Sequence, residues 1–507
     1  MPVPGRITGY DLACLTPLCM PWREVNGLLQ PVFSHDAALL SLELATTAYD
    51  METDAWGQAG WRDFSYQVDN KLLTGPAVNR ESDSMIDGVM SGYYQQLAKS
   101  RVKRQNPISQ IRGALRQREG SDTCKAVVML HPLSGGQYLT AIGFMGTGKR
   151  VYDWISNFRV SRTERMHSGF LQLTKQFETN CDAIQFPETA RELGLECLTL
   201  TDILRECRRP GSRFRIWIAG HSQGGAVMQI FSFLAIESGL LRQNLLGYSF
   251  ASPSVLYDHP PFELTAFPLF HIINADDVFP RTGAFLHIGR CRVFYPDEAM
   301  RRRCYGSWWD REEFRAFLAL TRNVTDSGGA FLLILSMLLA IQDLGQEEAM
   351  RTLNSMVGSL IPQRIVSAVS GRGEDLLRAL IQRVRQGYIL ASEEEEPPEQ
   401  LLAMLKCRAS ELLKAYGGKA FSMAFLSAVA LPHKLRGPIG ENSLASYQYI
   451  VTERFGELKQ KSWHPPANRM ENGRRSGFRR RPEAVYTGLT REINRRARRK
   501  NLYRRNV

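Results

Sequence analysis

A glycine–serine–glycine turn between two apolar segments constrains this chain more than any other feature. The run Arg213–Ala219 is typical of a buried strand, Gly220-His221-Ser222-Gln223-Gly224 follows it, and apolar residues at helical spacing begin at Ala226. A strand that turns sharply into a helix lifts a serine out of the sheet, and glycine at both flanks permits close strand–helix approach. The sequence therefore predicts Ser222 as an exposed nucleophile at a helix N-terminus.

The pattern alone is weak evidence, because at ordinary glycine and serine usage a chain this long yields it by chance about one time in six. The alternative interpretation is a glycine-rich turn without chemistry. The strand–turn–helix setting favours the nucleophile. The main-chain N–H of Gln223, at the start of the helix, is then expected to face the negative charge that develops on an attacked carbonyl.

Further motifs follow one another along the chain: Phe144-Met145-Gly146-Thr147, Asp153-Trp154, His167-Ser168-Gly169-Phe170, Phe250-Ala251-Ser252-Pro253 and Asn274-Ala275-Asp276-Asp277-Val278-Phe279-Pro280-Arg281. With the serine turn, they resemble the class 3 lipase family, the α/β-hydrolases typified by secreted fungal lipases, over roughly residues 36–300. The resemblance implies an α/β fold with a central, mostly parallel sheet and a lid within Lys149–Met166. It also implies that Thr147 donates to the oxyanion and that Asp277 is the acid of a Ser-His-Asp triad.

The position of Asp277 supports the same role without the family. A buried strand is predicted at Leu269–Ile273, so Asp277 follows its carboxyl end, where ligands bind in α/β sheets. An aspartate there can hold a histidine in the tautomer that a serine nucleophile needs. The alternative is that Asp277 is a turn residue before Pro280.

The general base is harder to assign. The segment Asn442-Ser443-Leu444-Ala445-Ser446-Tyr447 resembles the family's catalytic His-Ser-Leu-x-x-Tyr, with asparagine in place of the histidine. Asparagine cannot take a proton from serine at neutral pH. His433, nine residues earlier in a proline-flanked loop at the end of the helical segment, is the nearest replacement. The alternatives are His287, a base supplied by the substrate or a partner, and no functional base at all.

These residues lead to two hypotheses. The first is a serine carboxylic-ester hydrolase that acts on a lipid or acyl ester through an acyl-enzyme, with Ser222, Asp277 and His433 as the triad and Thr147 and Gln223 as oxyanion donors. The second is a catalytically impaired α/β-hydrolase that binds a lipid or a protein, as the asparagine of the histidine motif suggests.

No cofactor or metal is expected. The run Gly143–Lys149 spells G-x-x-x-x-G-K, but Arg150 stands where a phosphate-binding loop needs serine or threonine to hold Mg²⁺. The nine cysteines are scattered without the spacing of zinc ligands. We therefore expect reduced thiols and a site built from side chains alone.

The chain is expected to divide into three parts. Residues 1–307, completed by residues 431–460, are predicted to form the hydrolase core, in which residues 36–105 are mainly helical. Residues 308–430 show successive amphipathic helices, so we interpret them as a helical insertion or cap. Residues 461–507 form a basic tail that we expect to be flexible.

The apolar segments bear on location. The longest apolar run, Gly329–Ile341, is shorter than the roughly 20 residues that a bilayer span needs, and the N-terminus does not resemble a signal peptide. We expect a cytoplasmic protein, free or held peripherally at membranes. Nothing in the sequence indicates its oligomeric state.

The basic tail carries most of the charge. From Trp463 to Val507 there are 14 Lys and Arg against 3 Asp and Glu, in a chain whose net charge is +13. Such a tail is either a solvated segment or an anchor to anionic membranes. It has no recognisable RNA-binding motif, which argues against nucleic acid as its partner.

Vesicle co-sedimentation separates these two interpretations of the tail. For an anchor, the full chain binds vesicles containing phosphatidylserine more strongly than a variant ending at Lys461, because each basic side chain near the surface contributes about 1 kcal/mol. That binding weakens as salt is added. Equal binding of both proteins, or binding that ignores salt, identifies the tail as a solvated segment.

Overall fold

The computed structural model describes residues 22–25, 28–50, 53–68, 71–74, 124–146, 166–257, 263–284, 286–324, 326–357, 373–392, 396–435, 445–454, 457 and 459–460. Thr147, Asp153-Trp154, the rest of the expected lid up to residue 165, Asn442 and the basic tail lie outside the described residues.

The strands are Trp22–Val25 (β1), Leu28–Pro31 (β2), Arg62–Val68 (β3), Lys71–Thr74 (β4), Ala126–Leu133 (β5), Gln137–Phe144 (β6), Phe214–His221 (β7), Leu245–Phe250 (β8), Leu269–Asn274 (β9), Arg290–Phe294 (β10) and Lys459–Gln460 (β11). The helices are His35–Asp50 (α1), Asp54–Gln58 (α2), Ser168–Asn180 (α3), Pro187–Glu192 (α4), Leu200–Glu206 (α5), Gln223–Glu237 (α6), Glu298–Tyr305 (α7), Glu312–Arg322 (α8), Ser327–Gln342 (α9), Gln346–Val357 (α10), Gly373–Ser392 (α11), Glu399–His433 (α12) and Ser446–Glu453 (α13).

One large sheet organises the molecule. Within the described residues it has nine strands, in the order β11-β10-β9-β8-β7-β6-β5-β3-β4. Strands β6 to β10 in its centre are parallel, and the pairs on both flanks are antiparallel. The predicted α/β fold with a central, mostly parallel sheet is therefore confirmed.

The parallel strands bring the predicted site residues to one edge of the sheet. Strand β6 ends at Phe144, β7 at His221 and β9 at Asn274, and the register pairs Phe144 with Gly220. Parallel strands end on the same side, so the loops after these three strands meet there. Ser222 and Asp277 follow two of those ends directly.

Alternate residues of the central strands pack into different cores, as the pleat of a strand requires. In β7, Trp217 and Ala219 face a core that includes α1, whereas Ile216 and Ile218 face a second core that includes α3 and α6. The parallel sheet is thus covered by helices on both sides, which is typical of α/β proteins.

The helices between β10 and β11 pack on the same side of the sheet as α1. Phe317 of α8, Met337 of α9 and Phe421 of α12 belong to the core that contains Trp217. The helices predicted in residues 308–430 are confirmed in the described part of that range, where α11 ends at Ser392 and α12 begins at Glu399. Helix α12 is kinked at Gly417, where φ is 76°, and continues across residue 430 to His433.

Residues 36–105 were expected to be mainly helical, but their described part, which ends at Thr74, is helical only in part. Helices α1 and α2 lie there, but β3 and β4 follow, and β3 pairs with β5 on one side and β4 on the other. Phe64, Tyr66 and Val68 of β3 alternate with polar residues, a pattern typical of a strand that the helical expectation overlooked. The partner strands decide its conformation.

The apolar run Gly329–Ile341 lies within α9, most of whose residues are buried against neighbouring helices. Among the described residues, none of the helices combines the length and the apolar character that crossing a bilayer requires.

A buried hydrogen bond ties α1 to the strand that carries the serine turn. The indole Nε1–H of Trp217 donates to Ser41 Oγ over 2.8 Å, and Ser41 Oγ donates to the Ala37 carbonyl over 2.6 Å. Both side chains are fully buried. We expect Ser41→Ala to lower the free energy of unfolding by about 1–3 kcal/mol, because it leaves the indole N–H without an acceptor.

Urea unfolding of the purified variants measures this effect. Ser232→Ala is a matched control, since Ser232 of α6 is equally buried but its hydroxyl has no hydrogen-bond partner among the described residues. We expect this control to unfold at the wild-type midpoint or above it. If both variants lose the same free energy of unfolding, the hydrogen bond between Trp217 and Ser41 does not stabilise the fold.

Candidate active site

Ser222 occupies a strained turn between β7 and α6. Its φ is 54° and its ψ is −127°, a conformation that non-glycine residues rarely adopt outside functional sites. Its main-chain N–H donates to the Phe250 carbonyl of β8 over 2.9 Å, which holds the turn against the sheet. The strand–turn–helix setting predicted for Ser222 is therefore present.

Ser222 is more enclosed than the sequence led us to expect, with a relative exposure of 5%. The loop after β6 runs against it, since a Cβ on Gly146 would lie 3.0 Å from Ser222 Cβ. Thr147, the predicted oxyanion donor, is the next residue in the chain. Helix α6 begins directly after the serine, at Gln223, whose main-chain N–H is the other predicted oxyanion donor.

The two glycines of the turn are required by close packing. A Cβ on Gly220 would lie 2.5 Å from the Gly224 carbonyl oxygen, and a Cβ on Gly224 would collide with the Phe144 carbonyl and lie 2.7 Å from the Met145 carbonyl carbon. Contacts under 3.0 Å do not occur for real Cβ atoms. The predicted role of glycine at both flanks is confirmed.

Asp277 and His433 are in direct contact. His433 Nδ1 lies 2.9 Å from Asp277 Oδ2, and the Asp277 side chain is fully buried. A carboxylate only accepts hydrogen bonds, so Nδ1 carries the proton and the Nε2 of the neutral ring keeps a lone pair. The Phe279 main-chain N–H donates to the other oxygen, Oδ1, over 3.0 Å.

Tyr447 completes the surroundings of this carboxylate. Its hydroxyl donates to Asp277 Oδ2 over 2.8 Å. Burial, and then the charge of Asp277, raise the pKa of Tyr447 well above its usual value, so the phenol stays protonated and remains a donor. Tyr447 is the last residue of the lipase-like motif Asn442–Tyr447, and its role was not predicted from the sequence.

His433 lies beside the serine turn. The Nε2 of His221, the residue before Ser222, is 3.0 Å from the main-chain carbonyl of His433, and the two imidazole rings are 4.7 Å apart between centroids. His433 was expected in a loop, but it forms the last turn of α12. The chain thus brings Ser222, Asp277 and His433 to one place from three separate segments.

The other candidate histidine is held by different partners. His287 Nε2 lies 2.8 Å from the Ser252 carbonyl, so this nitrogen carries the proton. Burial lowers the pKa of His287 to about 4, which keeps the ring neutral. The geometry favours His433 over His287 as the partner of Asp277.

The neighbouring aspartate has a different environment. Arg301 donates to both oxygens of the buried Asp276, over 2.7 and 2.9 Å, and Tyr305 donates to it over 3.1 Å. Hydrogen bonding to Asp276 raises the pKa of Arg301. Asp276 therefore ties α7 to the end of β9, and Asp277 alone of the two contacts a histidine within the described residues.

Sequence analysis missed Tyr49 of α1. Its hydroxyl lies 2.8 Å from Nδ1 of His221, and a Cβ on Gly146 would collide with it. Nothing in the local pattern around Tyr49 distinguishes it from an ordinary helix residue, because its partner is 172 positions away.

We expect Asp276→Asn to lower the free energy of unfolding by roughly 3 kcal/mol, because it breaks a buried ion pair and leaves the guanidinium of Arg301 without its carboxylate. Urea midpoints measure the loss. The control is Glu298→Gln, which breaks the exposed pair with Arg302 and should leave the midpoint nearly unchanged. Similar midpoints for the two variants would show that Asp276 does not stabilise the fold.

Comparison with solved structures finds lipases of Rhizomucor miehei. The native lipase propeptide complex is 18% identical, with a TM-score of 0.24, over 34% of this chain and 52% of that one. The triacylglyceride lipase is 20% identical, with a TM-score of 0.23, over 34% of this chain and 61% of that one. The chain thus spans between half and two thirds of the length of each.

None of the curated proteins matches the chain. Residues 141–286 match the family model described as lipase (class 3). The matched segment runs from within β6 to the segment before β10 and contains both Ser222 and Asp277. The resemblance to the class 3 lipase family seen in the motifs is thereby confirmed for residues 141–286.

Proposed function

We propose that this protein is a lipase-like serine hydrolase that cleaves a carboxylic ester of a lipid or another acyl compound. Its catalytic residues are Ser222, His433 and Asp277. The observation that carries the proposal is the 2.9 Å contact between His433 Nδ1 and Asp277 Oδ2 beside the strained serine turn. The match of residues 141–286 to the class 3 lipase model supports the same class of reaction.

In the proposed reaction, Ser222 Oγ attacks the ester carbonyl carbon while His433 Nε2 takes the hydroxyl proton. The tetrahedral intermediate collapses, the ester C–O bond breaks, and His433 returns the proton to the departing alcohol. Water then attacks the acyl-enzyme and gives a proton to the same nitrogen, the bond between the acyl carbon and Ser222 Oγ breaks, and His433 returns that proton to Oγ. The products are a carboxylic acid and an alcohol, and Ser222 is regenerated.

Asp277 acts through His433. Its carboxylate keeps the proton on Nδ1 and stabilises the imidazolium that forms when Nε2 is protonated. The hydrogen bonds from Tyr447 and from the Phe279 main chain hold the carboxylate in place. Because Asp277 is fully buried, its interaction with the imidazolium is little screened by solvent.

The oxyanion is proposed to lie between Thr147 and the start of α6. The Gln223 main-chain N–H is at the N-terminus of that helix, where partial positive charge favours a developing anion. Gly146, the residue before Thr147, packs against Ser222, and this supports a donor role for Thr147.

The helices of residues 308–430 are proposed to contribute to substrate binding. We propose that residues 308–430 form an insertion into a core made by residues 1–307 and 431–460, and that this insertion helps to shape the acyl site. The position of His433 at the end of α12 supports a link between the insertion and the catalytic centre. Attachment to anionic membranes through the basic tail belongs to the same proposal.

A non-catalytic binding protein is the second candidate. Asn442 favours it, because asparagine stands where the family motif has its catalytic histidine. The contact of His433 with Asp277 argues for catalysis, since it supplies an imidazole from another part of the chain. Under the catalytic proposal, Asn442→His brings little gain in activity. Under the binding proposal, activity appears only in that variant.

A fluorophosphonate probe tests the catalytic proposal directly. We expect the wild-type protein to be labelled at Ser222 and Ser222→Ala to be unlabelled. His433→Gln should slow both labelling and ester hydrolysis by about 1,000-fold or more, because the nucleophile loses its base. The control His287→Gln removes a buried histidine that lies outside the proposed triad, and its labelling should match the wild type.

Two results would overturn the proposal. One is a wild-type protein that the probe does not label. The other is a His433→Gln variant that is folded and labelled at the wild-type rate. If His287→Gln alone loses labelling, the base would have to be reassigned to His287.

A further inference from the structure

The last turn of α12, which carries His433, is held by side chains from three other segments. A helix leaves its final carbonyls without partners inside the helix. Here Ser446 Oγ donates to the Leu431 carbonyl over 2.9 Å, Asn274 Nδ2 to the Pro432 carbonyl over 3.1 Å, and His221 Nε2 to the His433 carbonyl over 3.0 Å. Each of three consecutive carbonyls therefore receives a side-chain donor.

His221 is fixed at both ring nitrogens. A carbonyl only accepts, so Nε2 carries the proton and Nδ1 accepts from the Tyr49 hydroxyl over 2.8 Å. Burial, and then the nearby His433, hold the pKa of His221 well below its usual value. The ring of His221 therefore stays neutral and keeps its Nε2–H.

We propose that His221 is a positioning residue for the general base. It holds the main chain of His433 so that the imidazole lies between Asp277 and Ser222. This inference rests on the proposed function, in which His433 is the base. Because His221 directly precedes Ser222, one stretch of backbone both carries the nucleophile and fixes the base.

The origin of His433 explains why such a contact matters. The base comes from the end of a long helix that is kinked at Gly417, and not from a loop of the sheet. Its distance from Ser222 therefore depends on how α12 is seated. A displacement of about 1 Å in a reacting group costs on the order of 100-fold in rate.

His271 offers a matched control for the loss of a buried histidine. It accepts from Ser249 Oγ at Nδ1 over 2.6 Å and donates from Nε2 to the Ile288 carbonyl over 2.8 Å. Burial lowers the pKa of His271 to about 3. The two histidines thus make the same pair of hydrogen bonds, but only the carbonyl bound by His221 belongs to the base.

The experiment compares three variants in the full chain with a p-nitrophenyl acyl ester. We expect His221→Leu to lower kcat by about 10- to 100-fold with little change in KM, because the substrate still binds while the base is misplaced. His221→Gln should recover most of the kcat, since its side-chain amide can donate to the same carbonyl. His271→Leu should keep the wild-type kcat.

The proposal is overturned if folded His221→Leu retains the wild-type kcat, if His271→Leu loses as much kcat, or if His221→Gln is as slow as His221→Leu. Should His221→Leu not fold, Tyr49→Phe removes only the hydroxyl that fixes the ring, and an unchanged kcat in that variant would contradict the proposal. Failure of the proposed function looks different, because the wild-type protein itself would then show neither hydrolysis nor labelling.

Discussion

The hydrogen bond between His433 and Asp277 joins the two halves of the candidate site. Asp277 follows β9 at the edge of the sheet, and His433 ends the longest helix of the described chain. The carboxylate is fully buried, so it depends on donors to offset its lost hydration. His433, Tyr447 and the Phe279 main chain supply those donors, and the orientation of the imidazole follows from them.

The same contact requires the helical segment to be seated firmly on the sheet. Helix α12 belongs to the same hydrophobic core as α1 and the Trp217 face of β7, and it packs against α8, α9 and α10. Side-chain caps on its last turn then set its end relative to that strand. Packing positions the helix, and directional hydrogen bonds position the histidine.

The two adjacent aspartates, Asp276 and Asp277, have partners of different charge. Asp276 is paired with Arg301 and bound by Tyr305, which ties it to α7. Asp277 has neutral donors in addition to the histidine. An imidazole can gain and lose a proton near neutral pH, whereas a guanidinium cannot, so only the second environment suits proton transfer.

Sequence alone determined the features that depend on neighbours in the chain. The strand–turn–helix around Ser222, the glycines at its flanks and the helices after β10 all follow from local spacing and local sterics, and the structure agrees with them. Asp277 was assigned from its position after a predicted strand and from the family motif. Strand β3 was missed although Phe64, Tyr66 and Val68 alternate with polar residues along it, and its pairing with β5 could not be seen because β5 is distant in the chain.

Tertiary structure alone decided what pairs with what. Sequence order left His433 and His287 both open as the base, and the contact with Asp277 arises from residues 156 positions apart. The roles of Tyr49 and His221 likewise depend on α1, β7 and α12 meeting at one edge of the sheet. Hydrogen bonds between distant segments leave no pattern in a single sequence, since each partner is locally an ordinary residue, and only packing brings them within reach.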